Sequence, residues 1–251
     1  MTGQRFLRPD PGVAVPRTAM VMAAGLGKRM RPLTITRPKP LVEVRGRPLI
    51  DHVFDRLRAA GIERVVVNVH YLADSLEAHL RRRYGDMEVI VSDERAQLLE
   101  TGGGLVKALP LLGDEPVLVV NGDSLWIDGP VDAIKLLSAR WDPATMDMLL
   151  LMVPFARANN LGGMGDFRLG PDGRIIGRRK PGTVAPFAYT GVQIIDPRVL
   201  VDAPEGPFST NVFWDRAIAA GRAYGQVHQG LWFEIGTPGA VTRTEAMLLD
   251  G

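Results

Sequence analysis

Three stretches of this sequence gather residue types that handle phosphate. In residues 20–41, MVMAAGLGKRMRPLTITRPKPL, an apolar run enters Gly25-Leu26-Gly27 and then meets Lys28, Arg29, Arg31 and Lys39. Glycines let backbone N–H groups approach phosphate oxygens with no Cβ in the way, and ammonium and guanidinium groups offset the remaining charge. Two better-known glycine loops are excluded. The third glycine of the dinucleotide fingerprint is missing, and Arg29 stands where a Walker loop needs Ser or Thr. In residues 117–124, VLVVNGDS, a short apolar run ends on Asp123. Ligands of open α/β sheets collect at the carboxyl ends of strands, which makes Asp123 a candidate magnesium ligand. An isolated Asn-Gly-Asp more often forms a turn, and the upstream glycine loop is what shifts the balance to metal. The third stretch, Glu100-Thr101-Gly102-Gly103-Gly104, precedes an apolar helix over 105–109, with Thr101 placed to cap it and the glycines placed to lie under a flat ligand.

These residues need a scaffold, and the surrounding pattern supplies one. From residue 18 onward, short β-branched or apolar runs alternate with segments of helical period, which predicts βαβ units around a mainly parallel sheet. Strands are expected at 19–24, 64–68, 88–92 and 117–121, each short and apolar enough to be buried on both faces. A helix over 49–60 puts Leu49, Val53, Phe54 and Leu57 on one face and stops at Gly61. A second, over 73–83, turns Leu76 and Leu80 inward and ends on three arginines, where cations suit the helix dipole. Beyond Pro130 the pattern is mixed: a strand at 146–153, a hairpin around Pro171-Asp172-Gly173, and a strand at 189–195.

Composition narrows the function classes. With 46% hydrophobic and 23% charged positions, the chain can bury a substantial core, and residues 18–251 read as one domain. The net charge is +2, with no window of interleaved basic and aromatic residues, so no nucleic-acid surface is expected. There is no cysteine, which excludes thiolate nucleophiles and thiolate metal sites, and His52, His70, His79 and His228 lack ligand spacing. No apolar run approaches the roughly 18 residues that span a bilayer, and the N-terminus lacks the apolar centre of a secretory signal, so the cytoplasm is the expected location. Residues 1–17, with Pro9, Pro11 and Pro16 and no periodic face, are expected to form a flexible arm.

Residues 23–41, AAGLGKRMRPLTITRPKPL, resemble the opening motif of the sugar-1-phosphate nucleotidylyltransferase family at all nineteen positions. The resemblance implies a Rossmann-like (GT-A-like) three-layer α/β/α fold with a mainly parallel mixed sheet. It further implies a nucleotide-binding half over 18–128 and a sugar-phosphate half over 129–251. It assigns Ala23, Gly25, Leu26, Gly27 and Lys28 to the nucleoside triphosphate, with Glu94, Gly102 and Gly122 completing that set and Gly102 as the base contact. Arg29, gripping the phosphates, and Lys39, touching the reacting ones, are the implied catalytic pair. ETGGG followed by Lys107-Ala108-Leu109-Pro110 is similar to the subgroup of N-acetylmuramate-1-phosphate uridylyltransferases. The family's late motif, in which an Asp two residues before Gly-Thr completes the metal site, is matched by WFEIGTP with Glu234 at that position. The extra methylene leaves open whether Glu234 reaches magnesium directly or through water. On the sugar-phosphate side the resemblance implies Asn159, Gly163, Lys180, Thr190 and Gly191. Arg179 replaces a sugar-binding Glu, and its charge suits a sugar that bears its own carboxylate.

The implied reaction is Mg2+-dependent transfer of a nucleoside monophosphate from an NTP, with UTP favoured, to a sugar 1-phosphate, with N-acetylmuramate 1-phosphate favoured. The products are a nucleotide sugar and pyrophosphate, serving peptidoglycan recycling. Guanylyl transfer to mannose or heptose 1-phosphate is the alternative within this chemistry. A non-catalytic nucleotide-sugar sensor is the alternative outside it, against which the intact Arg29, Lys39 and Asp123 argue. Neither nucleic acid nor membrane is an expected partner, and coupling to a sugar kinase stays open.

Overall fold

The computed structural model describes residues 12–249. Among them, the main sheet is built from β1 (Thr18–Met22), β2 (Arg64–Val69), β3 (Glu88–Asp93), β4 (Val117–Asn121), β5 (Met148–Pro154), β6 (Phe167–Leu169), β7 (Ile175–Arg178), β8 (Phe187–Ile195) and β9 (Ala223–Val227). The helices are α1 (Leu49–Ala60), α2 (Ala73–Arg83), α3 (Glu100–Leu112), α4 (Ala133–Arg140), α5 (Asn211–Ala219) and α6 (Pro238–Met247). Strands β3, β2, β1 and β4 lie side by side and parallel. β8 then joins β4 antiparallel, β5 joins β8 antiparallel, and β9 runs parallel to β5. The β6–β7 hairpin, turning at the predicted Pro-Asp-Gly, attaches where Phe167 pairs with Phe187 at the start of β8. The carboxyl ends of β1, β2 and β4 and the first half of β8 therefore share one edge.

Strand alternation divides the core between two faces. Val65 and Val67 point to the side covered by Phe54 and Leu57 of α1, Leu76 of α2 and Ile134 of α4. Val66, Met20 and Val119 point to the side covered by Leu105 of α3 and Phe213 of α5. The result is the expected three-layer α/β/α arrangement with a mixed, mainly parallel sheet. A third, smaller cluster joins Met30, Val42, Phe233, Ile235 and Val241 and fastens α6 beneath the loop after β1. It adjoins a small sheet of Leu125–Ile127, Ala158–Asn159 and Leu231–Phe233.

Helices α1 and α2 have the predicted bounds, and Gly61, at φ +94°, closes α1 with its N–H on Arg58 O. The first strand ends two residues early because the Ala23 N–H leaves the ladder for the side chain of Asn68. Helix α3 starts at Glu100, so the three glycines fall within its first turns, whereas the spacing had the helix begin at residue 105. Nor does Thr101 cap it: its Oγ1 accepts from the Thr210 N–H, 2.9 Å away. The N-terminal arm lies outside the described residues as far as residue 11. After it, Val15 packs on the α1–α2 side, and Arg17 C=O accepts from Glu63 N–H and Arg64 N–H. Among the described residues no helix is long and apolar enough to cross a membrane.

Candidate active site

Two clefts open along the shared sheet edge. The first, about 440 Å³, runs from the start of the loop after β1 to the N-terminus of α3. Its floor is held by a buried chain of hydrogen bonds. Ala23 N–H donates to Asn68 Oδ1 (2.6 Å), Asn68 Nδ2 donates to Glu94 Oε1 (2.7 Å), and Leu99 N–H donates to Glu94 Oε2 (3.1 Å). This chain ties the ends of β1, β2 and β3 together, and buried polar groups paired in this way fix a loop far more firmly than an exposed contact does. Leu98, Glu100, Thr101 and Ser209 also line this cleft, together with Lys39 and Asp123.

The structure redistributes the roles expected in this region. Gly25 lines the cleft, and a Cβ there would meet nothing within 4 Å, so its backbone is open to a ligand. Gly27 makes the turn instead: φ is +59°, its C=O accepts from Thr34 Oγ1, and a Cβ would come within 3.0 Å of Thr34. Leu26 and Lys28 are not on the wall, and Lys28 is exposed. Glu94 is fully buried and is not on the wall, with both oxygens committed to the hydrogen bonds that hold the loop. Gly102 is not on the wall either. Its N–H donates to Phe208 O (2.8 Å) and a Cβ would fall 2.4 Å from the Phe208 ring, so the glycine serves close packing while Glu100 and Thr101 face the cleft. Gly122 likewise lets β4 close over β1, donating its N–H to Met22 O at 2.9 Å.

The second cleft, about 600 Å³, shares Lys39, Asn121 and Asp123 with the first. Lys39 opens a short 3-10 turn after Pro38 and donates to Asp123 Oδ2, with 17% of its side chain exposed. Across the cleft, Glu234 follows the small-sheet strand. Its Oε2 accepts from Gly162 N–H (2.9 Å), and its Oε1 lies 3.9 Å from the Arg29 guanidinium. Arg29 is 73% exposed, which leaves it free to swing onto a phosphate. Thr190 and Gly191 form a bulge in β8. Thr190 C=O accepts from Ser124 Oγ and Trp232 Nε1, both at 3.0 Å, and Gly191 sits at φ +85° where a Cβ would strike Ser124 Oγ at 2.4 Å. The bulge turns this part of β8 into the cleft wall.

Of the expected sugar-side residues, Gly163, Thr190 and Gly191 line this cleft. Asn159 does not, because its amide donates to Trp232 O (2.9 Å) within the small sheet; its neighbour Asn160 is on the wall instead. Arg179 and Lys180 lie exposed after β7, off the wall. Sequence reasoning missed Asn160, Asp166 and Arg243; Asp166 lies in the same segment as the expected Gly163, whereas Asn160 and Arg243 carry no local motif. Asp166 accepts from Tyr189 N–H (2.9 Å) and keeps one side open to solvent. Burial nonetheless holds its carboxyl above the usual range, against the Tyr189 hydrogen bond and the charge of Arg179.

The donor set suits magnesium. Asp123 and Glu234 both line the second cleft with carboxylates, the hard oxygen donors that suit this ion, and no group of three or more His, Cys, Asp or Glu placed to hold a metal gathers among the described residues. Magnesium held by one or two carboxylates completes its shell with phosphate oxygens and water.

A glycine loop and a lysine at a sheet edge, next to a carboxylate-lined cleft, make a site suited to phosphate groups. Residues 18–250 match the nucleotidyl transferase family model, and the chain belongs to that family. It is a nucleotidyltransferase of the sugar-1-phosphate type. It is 48% identical over 238 residues to the N-acetylmuramate alpha-1-phosphate uridylyltransferase of Caulobacter vibrioides, covering 94% of this chain and 98% of that one. The protein of the same name from Neisseria meningitidis serogroup B is 36% identical over 232 residues, covering 91% and 97%. In fold, the chain matches a crystal structure of UDP-glucose pyrophosphorylase complexed with UDP-glucose, with a TM-score of 0.78 at 18% identity over 93% of this chain and 98% of that one.

Proposed function

We propose that this protein is a cytoplasmic, Mg2+-dependent enzyme that transfers a uridylyl group from UTP to N-acetylmuramate 1-phosphate, releasing pyrophosphate. The observation that carries the reading is the shared wall: Lys39, Asn121 and Asp123 belong to both clefts, so ligands filling the two would meet there. The choice of base and sugar rests on the relatives of nearly full coverage.

The acceptor is a phosphate monoester whose second pKa is about 6, so at neutral pH it is already a nucleophile and needs no general base. Its oxygen attacks the α-phosphorus in line, forming the new P–O bond as the bond to pyrophosphate breaks. The main barrier is repulsion between two anions, which the protein lowers by positioning and charge. Gly25 brings open backbone to the triphosphate, and Arg29 and Lys39 bring cations. Lys39 is held near the reacting centre by Asp123 until the substrates arrive. Asp123 and Glu234 would hold the magnesium, which supplies further charge neutralisation at the phosphates. A kinase that phosphorylates the anomeric hydroxyl of the sugar would furnish the acceptor.

The test is pyrophosphate release with magnesium, each NTP in turn, and a panel of sugar 1-phosphates. Turnover greatest with UTP and N-acetylmuramate 1-phosphate supports the reading. Turnover greatest with GTP and mannose or heptose 1-phosphate replaces it.

A further inference from the structure

We propose that Arg243, held by Asn160, is the residue that recognises a carboxylate on the acceptor sugar. The inference rests on the reading above that the acceptor is an acidic sugar 1-phosphate.

An acidic sugar faces an electrostatic difficulty in this cleft. Asp166 and Glu234 both line it, and Asp123 stands at its boundary, so a substrate carboxylate needs a cation of its own. Three cationic side chains are on the wall: Arg29, Lys39 and Arg243. Lys39 is paired with Asp123, and Arg29 faces Glu234 beside the phosphate loop. Arg243 has no ion pair with an acid among the described residues; its Nε donates to Asn160 Oδ1 at 3.0 Å. Both terminal nitrogens are left without a hydrogen bond, and a guanidinium fork of this kind matches a carboxylate in geometry as well as charge.

The bracket around Arg243 is fixed. Asn160 sits at φ +60°, and its amide donates to Thr244 Oγ1 (2.8 Å) and Ala240 O (3.4 Å) on α6. Thr244 is fully buried. Helical side chains lean toward the N-terminus of their helix, and Gly239, one turn back, makes room for this one: a Cβ there would lie 3.2 Å from the Arg243 guanidinium. The charge is thereby carried toward Gly236 and Thr237, which also line the cleft. Arg179, to which the resemblance gave this task, is off the wall and its charge acts on Asp166.

Arg243→Met keeps the stem and removes the charge. Initial rates with N-acetylmuramate 1-phosphate and with N-acetylglucosamine 1-phosphate, which lacks the carboxylate, give a ratio of kcat/KM for each variant. In the wild-type protein this ratio favours the acidic sugar. In Arg243→Met it falls by about 10- to 100-fold, mostly through KM for the acidic sugar, as expected for losing a charge-assisted pair. UTP affinity and the thermal midpoint serve as checks on folding. A ratio unchanged in Arg243→Met, or collapsed in Arg179→Met alone, overturns the assignment. A wild-type protein with no preference for the acidic sugar overturns the acceptor reading itself.

Discussion

Asn68 is the point at which stability and nucleotide binding meet, and Asn68→Leu tests that coupling. The substitution preserves approximate volume but removes two buried hydrogen bonds, from Ala23 N–H at 2.6 Å and to Glu94 Oε1 at 2.7 Å. Asn68 is 1% exposed and Glu94 is fully buried, so water cannot replace either bond without opening the fold. An unpaired buried donor or acceptor costs about 1–3 kcal/mol, so leaving two gives a loss of about 2–6 kcal/mol. In a chain of this size that corresponds to a fall of roughly 4–24 °C in the thermal midpoint. Ala23 begins the phosphate loop, so UTP affinity should weaken as well. Urea unfolding followed by circular dichroism measures the first effect and equilibrium UTP binding the second. The double variant Asn68→Leu/Glu94→Leu removes the stranded carboxyl and should lose less than the two single losses added together, with a coupling of about 1–2 kcal/mol. A loss below about 1 kcal/mol for Asn68→Leu, with additive behaviour in the cycle, would refute the claim that this chain of hydrogen bonds holds the loop.

Gly102→Ala should cost about 1–3 kcal/mol through the 2.4 Å clash with Phe208, and should raise the Kd for UTP because Ser209 rides on the same segment. Normal melting and binding would show that the helix has slack there. Glu234→Gln keeps the acceptor for Gly162 N–H but removes the charge, so the magnesium concentration giving half-maximal pyrophosphate release should rise by about tenfold or more. An unshifted metal titration contradicts a role for Glu234 in holding the ion. His228 is 1% exposed, and burial lowers its pKa despite its contacts with Leu231 O and Ile127 O. With the folded pKa below the unfolded value of about 6.5, the unfolded chain takes up the proton first, so this contribution is whole above that value and is lost as pH falls beneath it. Urea midpoints at pH 7.5 and 5.5 should therefore drop more in the wild-type protein than in His228→Gln, and equal drops would rule the effect out.

The sequence by itself determined where the glycine loop lies, though not which of its residues face the first cleft: Ala23, Gly25 and Lys39 do, whereas Leu26, Gly27 and Lys28 do not. The glycines, Arg29 and Lys39 fall within nineteen consecutive residues, and strand-to-loop-to-helix chemistry at that range depends on near neighbours. The bounds of α1 and α2 were legible for the same reason: an apolar face, and in α1 a terminal glycine, are local signals. The sugar end was decided by the tertiary structure. Asn160 meets Arg243 across 83 residues and Arg29 faces Glu234 across more than 200, and no spacing rule reaches so far. The same limit explains the reassigned glycines. Gly102 is required by Phe208, more than a hundred residues later, and a ring packed against a Cα leaves no mark beside the glycine it constrains. Short-range pattern specifies which elements form, whereas the register of β8 and the docking of α6 select the side chains that share a cleft, because only packing brings distant segments within hydrogen-bonding range.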